Sequence, residues 1–208
     1  TPKQDHIRNL LNYDKKIEYA HLPIILNDAG KKMSKRDDAS SVKWLLEEGF
    51  LPEAIANYLI LMGNKPPREI FTMKEAIEWF DLSKISKSPA KFNIDMLRHI
   101  NKEHLKDLDA KELSRYVGFA DEEIGLLARL YLEEAGTTKE LKSKIAPIFQ
   151  PRIVPEEFKE QTSLMARTIK DAPYFEEYED FKNYVMSESG LKGKNYFKPI
   201  RILFTNSE

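Results

Sequence analysis

Leu22-Pro23-Ile24-Ile25-Leu26-Asn27-Asp28-Ala29-Gly30-Lys31-Lys32-Met33-Ser34-Lys35-Arg36 is the stretch on which the reading of this chain turns. Its opening residues are apolar and predict a short strand. Pro23 assigns that strand to a sheet edge, because proline cannot donate to a central ladder. Asp28-Ala29-Gly30 then turns the chain. Lys32, Lys35 and Arg36 follow, set around Ser34, and Asp37-Asp38-Ala39-Ser40-Ser41 supplies a helix N-cap. Lysines are movable point charges for anionic oxygens, while a serine hydroxyl and backbone N–H groups add neutral donors. A helix start favours anions as well. The loop therefore has the parts needed to grip a triphosphate, although on charge alone a solvated basic turn is the better description, as for most short charge runs.

The order of these residues resembles the signature loop of class I aminoacyl-tRNA synthetases, in the form carried by the glutamyl and glutaminyl branch. The resemblance continues through Glu48-Gly49-Phe50-Leu51-Pro52-Glu53-Ala54, Asn57-Tyr58-Leu59, Met62-Gly63, Phe80-Asp81-Leu82, Ile85-Ser86-Lys87-Ser88-Pro89-Ala90-Lys91-Phe92-Asn93 and Asn101. Near the other end, Gly190-Leu191-Lys192-Gly193-Lys194-Asn195-Tyr196-Phe197-Lys198-Pro199-Ile200-Arg201 resembles the Gly-x-Lys-x-Leu-Phe-x-Pro-Leu-Arg segment of bacterial glutamyl enzymes. The family follows that segment with Ala-Leu-Thr-Gly, from which this chain departs at Phe204 and Asn206. The family indicated is the bacterial-type glutamyl-tRNA synthetases.

This resemblance implies a mainly α fold, a helical bundle made of a stem-contact fold and an α-helical anticodon-binding part, with a short α/β remnant of the catalytic domain at the N-terminus. The divisions expected are 1–38 for the end of the catalytic domain, 39–103 for the stem-contact domain and 104–208 for the anticodon-binding domain. ATP with Mg2+ is the implied substrate, L-glutamate and tRNA(Glu) are the implied partners, and zinc is not expected. Lys35 and Lys32 are the implied catalytic residues. Lys32, Met33, Ser34, Lys35 and Arg36 would bind ATP, and Arg201, Lys198 and Lys194 are the tRNA-binding candidates. Arg201 leads that group because a guanidinium can stack on and fork to unpaired bases. Lys84, Lys87 and Lys91 are further candidates for phosphate contacts. Thr1-Pro2-Lys3-Gln4 resembles a segment inside the family's catalytic domain, and none of His6, His21, His99 and His104 forms the family's other, His-x-Gly-His-like signature. A fragment truncated at both ends and inactive alone is expected, from a cytoplasmic, monomeric parent. Two alternatives stay open: a glutaminyl-tRNA synthetase fragment, or a non-catalytic helical RNA-binding module.

Composition narrows the classes. Hydrophobic residues make up 41% of the 208, enough for packed cores, and the absence of cysteine excludes disulfides and thiolate metal sites. No apolar run approaches the roughly 20 residues of a membrane-spanning helix. The net charge is −1, yet residues 1–36 carry eight Lys/Arg against four Asp/Glu. A near-neutral chain with local basic patches can bind RNA, because only the contacting face must neutralise phosphates.

Along the rest of the chain helical periodicity dominates. Ile7, Leu10 and Leu11 share a face of an opening helix, and Val42, Leu45 and Leu46 share one ahead of Gly49. Pro52 starts a helix, apolar nearly all round, that Gly63 ends. Thr72-Met73-Lys74-Glu75 is a capping box whose helix should turn Ile77 and Phe80 inward. Asn93 caps a helix with Ile94, Leu97 and Ile100, and Asp121 caps one with Ile124, Leu127, Ala128 and Tyr131. Prolines 147, 151 and 155 mark a connector. Trp44 and Trp79 are assigned to packing, as is the stripe Tyr174, Tyr178, Phe181 and Val185.

Overall fold

Side-chain caps start five of the helices in the computed structural model, which describes residues 2–13, 15–17, 19, 21–34 and 41–207. The helices are α1 (Pro2–Leu10), α2 (Val42–Glu47), α3 (Pro52–Gly63), α4 (Met73–Trp79), α5 (Ile94–Asp107), α6 (Ala110–Tyr116), α7 (Glu122–Arg129), α8 (Thr138–Ile145), α9 (Lys159–Lys170), α10 (Tyr178–Ser189) and α11 (Lys194–Thr205). Two short strands, β1 (Ile25–Leu26) and β2 (Ala90–Lys91), pair in parallel. The fold is mainly helical. Ser41 caps α2, Asn93 caps α5, Asp109 caps α6 and Asp121 caps α7, each accepting a backbone N–H of the first turn. At α4 the capping box is complete, with Glu75 returning a bond to the Thr72 N–H. Asp37 to Ser40, expected in the first of these caps, lie outside the described residues. Among the described residues no helix is long and apolar enough to cross a membrane, and no cluster of His, Asp and Glu is arranged to hold a metal ion.

The chain divides into two compact units, residues 1–108 with 136–138, and residues 109–135 with 139–208. In the first, α3 packs on α5 with Tyr58, Leu97, Ile100 and Leu105 at its centre. Polar side chains lock the elements together. Tyr58 packs edge-on against Phe92, and its hydroxyl accepts the Asn93 N–H at 2.6 Å, where α5 begins. Asn57, fully buried, donates to the Glu69 carbonyl and accepts from the Phe71 N–H and from His104 Nε2 at 3.0 Å. Asn101 accepts the Leu51 N–H at 2.7 Å and donates to the Gly136 carbonyl at 2.8 Å. Thr138 adds two bonds to the Gly49 carbonyl, from its N–H and its hydroxyl.

Several expectations need correction here. The apolar run before the loop is strand only at Ile25–Leu26, one of the two strands of its sheet, with β2 paired to it and a single isolated bridge from Leu26 to Lys32. Pro23 precedes the paired residues, so its missing donor costs nothing. Ile77 is 77% exposed and Phe80 40% exposed; Ala76 is the residue α4 buries, while Trp79 meets Phe71 edge-on at 5.0 Å. Helix α3 is not buried all round either, because Leu59 and Met62 line an apolar groove of about 300 Å³ with Leu22, Pro23, Phe80 and Ile85. Ile7, Leu10 and Leu11 are exposed.

In the second unit, α9, α10 and α11 enclose a core of Met165, Val185, Tyr196 and Ile200. Helix α7 lies against α6 so closely that a Cβ on Gly125 would fall 1.7 Å from the Ala110 carbonyl oxygen. Pro199 sits inside α11, where it removes one i to i−4 bond. The aromatic stripe is not core throughout. Val185 is buried and Phe181 half-buried, but Tyr174 is 89% and Tyr178 57% exposed. Helix α10 starts only at Tyr178, which leaves Tyr174 on a connecting loop.

Candidate functional site

The basic loop opens on a hairpin. Leu26 bridges antiparallel to Lys32, the Met33 N–H donates to the Ile25 carbonyl at 2.9 Å, and the Asn27 N–H donates to the Lys31 carbonyl at 2.8 Å. Asn27 closes the turn with its own groups: its carbonyl accepts the Gly30 N–H at 2.9 Å and its Oδ1 accepts the Lys31 N–H at 3.0 Å. Gly30 takes φ 71°, in the left-handed region, and a Cβ there would meet nothing within 4 Å. Glycine is used here for its backbone freedom rather than for space. Across β1, the Ala90 N–H donates to the Ile24 carbonyl at 3.2 Å and the Phe92 N–H to the Leu26 carbonyl at 2.8 Å, which anchors the hairpin to the residues that start α5.

This frame holds Lys31, Lys32 and Ser34 exposed and leaves Met33 half-buried. The Lys32 ammonium forms no ion pair with a described residue. Lys91 stands 3.8 Å from Asp28 on the adjoining strand, an exposed pair that leaves both groups solvated. Lys35 and Arg36 lie outside the described residues. Of the further lysines, Lys84 pairs with Asp81 at 3.5 Å, and Lys87 is exposed. Asp81 sits below the usual carboxylate range, first because the Ser83 hydroxyl and N–H donate to it.

The other candidates lie on α11 in the second unit. Lys194, Lys198 and Arg201 follow at i, i+4 and i+7, which puts them on one helix face. Their surroundings differ. Lys194 is turned to its own unit, 3.5 Å from Glu157 and 5.0 Å from the Phe158 ring centroid. Lys198 is half-buried. Arg201 is exposed, and its guanidinium has no partner among the described residues. It stands between two surface hollows, one aromatic and one polar, the latter lined by Tyr131, Lys144, Thr205 and Asn206. Burial raises the Tyr196 phenol well above its ordinary pKa, with Tyr178 beside it adding to the shift.

Near this face, Arg152 escaped the sequence reading, and so did the structural part that Asn206 plays. Arg152 donates to the Leu203 carbonyl at 2.6 Å and to the Ile148 and Gln150 carbonyls, tying the proline connector to the end of α11. Asn206 adopts φ 57° and ψ 28° as the left-handed residue that ends the helix. Asparagine is the residue besides glycine that ends helices this way. Its side chain adds what glycine lacks, accepting the Ile153 N–H at 2.9 Å and donating to the Pro147 and Pro151 carbonyls at 3.2 Å.

Residues 1–99, which include the hairpin, match the family described as tRNA synthetases class I (E and Q), catalytic domain. The curated relatives are more particular. The chain is 73% identical over all 208 residues to glutamate–tRNA ligase 2 of Sulfurimonas denitrificans, and 61% identical to glutamate–tRNA ligase 1 of a Nitratiruptor species, covering 48% of each. It thus spans about half the length of the curated relatives it matches. Among solved structures, a glutamate tRNA ligase from Elizabethkingia meningosepticum, in complex with its amino acid, superposes on 99% of this chain and 49% of its own with a TM-score of 0.70 at 23% identity. That likeness bears on the fold alone.

Proposed function

We propose that this chain is the part of a bacterial glutamate–tRNA ligase that carries the ATP-phosphate loop and the tRNA-contacting helices. The observation that carries this reading is the hairpin at residues 25–33, which fixes Lys32 and the start of the basic loop on a hydrogen-bonded frame next to the first turn of α5. The helical periodicity after Asn101, in place of β-barrels, favours glutamyl over glutaminyl. On this reading residues 39–103 contact the tRNA stem, residues 104–208 approach the anticodon, and the first 38 residues close the catalytic domain.

The reaction has two steps. The glutamate carboxylate attacks the α-phosphate of ATP, expelling pyrophosphate, and the terminal ribose hydroxyl of tRNA(Glu) then takes the glutamyl group from the adenylate. Mg2+ accompanies the ATP. In the first step charge grows on the departing pyrophosphate, and Lys35, helped by Lys32, meets those oxygens as it develops. Binding that strengthens only in the transition state accelerates the step, whereas equal grip on ATP would only tighten binding. One such contact contributes about 3 kcal/mol, or roughly a hundredfold in rate. Ser34 donates to a phosphate oxygen, and Met33 with the neighbouring backbone packs near the adenine. Arg36 shapes the loop or meets tRNA. Arg201 is the foremost tRNA contact on α11, with Lys198 beside it, and Lys194 joins them by leaving Glu157 and Phe158. The 208-residue chain alone makes no adenylate, since none of its histidines stands in a His-x-Gly-His signature.

Lys35→Ala in a full-length ligase carrying this segment tests the assignment. Pyrophosphate exchange should slow at least tenfold while equilibrium ATP binding changes little. Equal loss in both would refute the transition-state role.

A further inference from the structure

The aromatic hollow beside Arg201 is a surface of a different kind from the basic loop. It is an open groove of about 690 Å³ between the connector into α10 and the outer face of α11. Tyr174, Phe175 and Phe204 line it, together with Glu176, Glu177 and Arg201. Phe175 is fixed against Phe181 and Tyr184, with ring centroids 6.0 and 5.3 Å apart. Phe204 is half exposed and packs edge-on against Phe181. Tyr174 makes no ring contact or hydrogen bond with any described residue. Large aromatics held open to solvent around one groove mark a binding surface, since an isolated domain gains nothing by exposing them.

The charge around the groove decides what it fits. Residues 171–180 read Asp-Ala-Pro-Tyr-Phe-Glu-Glu-Tyr-Glu-Asp, with five carboxylates and no lysine or arginine. Lys182 offsets Glu179 at 2.6 Å, but Asp171, Glu176, Glu177 and Asp180 are exposed without an ion-pair partner among the described residues. Arg201 is the one cation lining the groove among the described residues. A polyanion is repelled by such a lining, so the aromatic floor is not a platform for phosphate-linked bases. A cation is attracted to it twice, by the carboxylates and by the ring faces of Tyr174 and Tyr178.

We propose that this groove docks a protein partner through a basic amphipathic segment, whose large apolar side chains fill the aromatic floor while arginine or lysine beside them meets Glu176 and Glu177. A helix laid in a groove supplies these at spacings of three and four residues, and the volume is that of an ordinary recognition cleft.

The test uses the full 208-residue chain and three labelled probes in fluorescence anisotropy: a 16-residue peptide of leucine and arginine segregated to opposite helix faces, the same composition scrambled, and a single-stranded RNA 12-mer. Tyr174→Ala and Glu176→Lys are the variants, and both alter exposed side chains. The segregated peptide should bind at least tenfold more tightly than the scrambled one, weaken at high salt, and lose at least tenfold in each variant. Equal binding of the two peptides, binding untouched by either variant, or RNA binding lost on Tyr174→Ala would overturn the proposal. So would self-association of the chain abolished by Tyr174→Ala in sedimentation, which would make a second copy the occupant.

Discussion

Gly125→Ala isolates the closest backbone approach in the second unit. Alanine is the better helix former by about 1 kcal/mol, so propensity alone expects a more stable protein. The structure expects the reverse. The added Cβ would stand 1.7 Å from the Ala110 carbonyl oxygen, 2.4 Å from its carbon and 2.9 Å from its Cα. These are backbone atoms, so no rotamer change relieves the clash. To reach an ordinary separation of about 3.3 Å, α7 must retreat from α6 by roughly 1.5 Å, opening gaps around buried Leu113 and Ala128. Overpacking of this kind costs typically about 1–3 kcal/mol and occasionally more, and a shift shared by two helices belongs at the upper end. After the propensity gain, a net loss of about 2 kcal/mol is expected, which lowers the urea midpoint by about 1 M for a slope near 2 kcal/mol/M. Far-UV circular dichroism is the readout, because Trp44 and Trp79 both lie in the other unit. Gly63→Ala is the matched control, since its Cβ would sit 3.5 Å from Ile85 Cγ2, an ordinary contact. A Gly125→Ala midpoint equal to or above the parent's would refute the close approach.

Two further outcomes follow from buried polar groups. Burial lowers the pKa of His104, with Asp107 and Glu53 opposing, and Asn57 Oδ1 accepts from its Nε2. Its contribution is therefore full above the unfolded value near 6.5 and is lost as pH falls below it, by at most about 1.4 kcal/mol per pH unit. Urea titrations between pH 7.5 and 5.5 should show that component in the parent and not in His104→Gln, and identical profiles would refute it. At Asn206 the expected order of stability is Asn above Gly above Ala. Glycine keeps φ 57° but forfeits the bonds to residues 147, 151 and 153, costing about 1–2 kcal/mol, and alanine adds about 1 kcal/mol of left-handed strain. Thermal melts that rank Gly at or above the parent would contradict the clasp.

Local signals were legible in the sequence where the physics is local. The Thr72–Glu75 box and the caps Ser41, Asn93 and Asp121 each depend on a side chain reaching a backbone N–H two or three residues on, and all are present. What depended on distant partners was not legible. The pairing of Ala90–Lys91 with Ile25–Leu26 joins segments 65 residues apart, and no local pattern names that partner. Ile77 obeys helical spacing yet faces water, because Phe71 and Trp79 take the packing role its pattern suggested. Tyr174 was read as helical core, but the helix that would have turned it inward begins four residues later. The basic loop was recognisable from residue order, while the hairpin that frames Lys32 came only with the structure, and Lys35 lies outside the described residues.

The return of residues 136–138 to the first unit bears on how that unit could ever be excised. A piece ended at Leu108 would look complete by helix count, yet it would strip the Gly49 carbonyl of both donors from Thr138 and leave the Asn101 amide without the Gly136 carbonyl. Asn101 would then hold the Leu51 N–H with only half of its own anchoring, at the very start of α3. The smallest self-sufficient version of the first unit is therefore discontinuous in sequence, and a swap of this unit between homologues must carry the three residues from beyond α7 along with it.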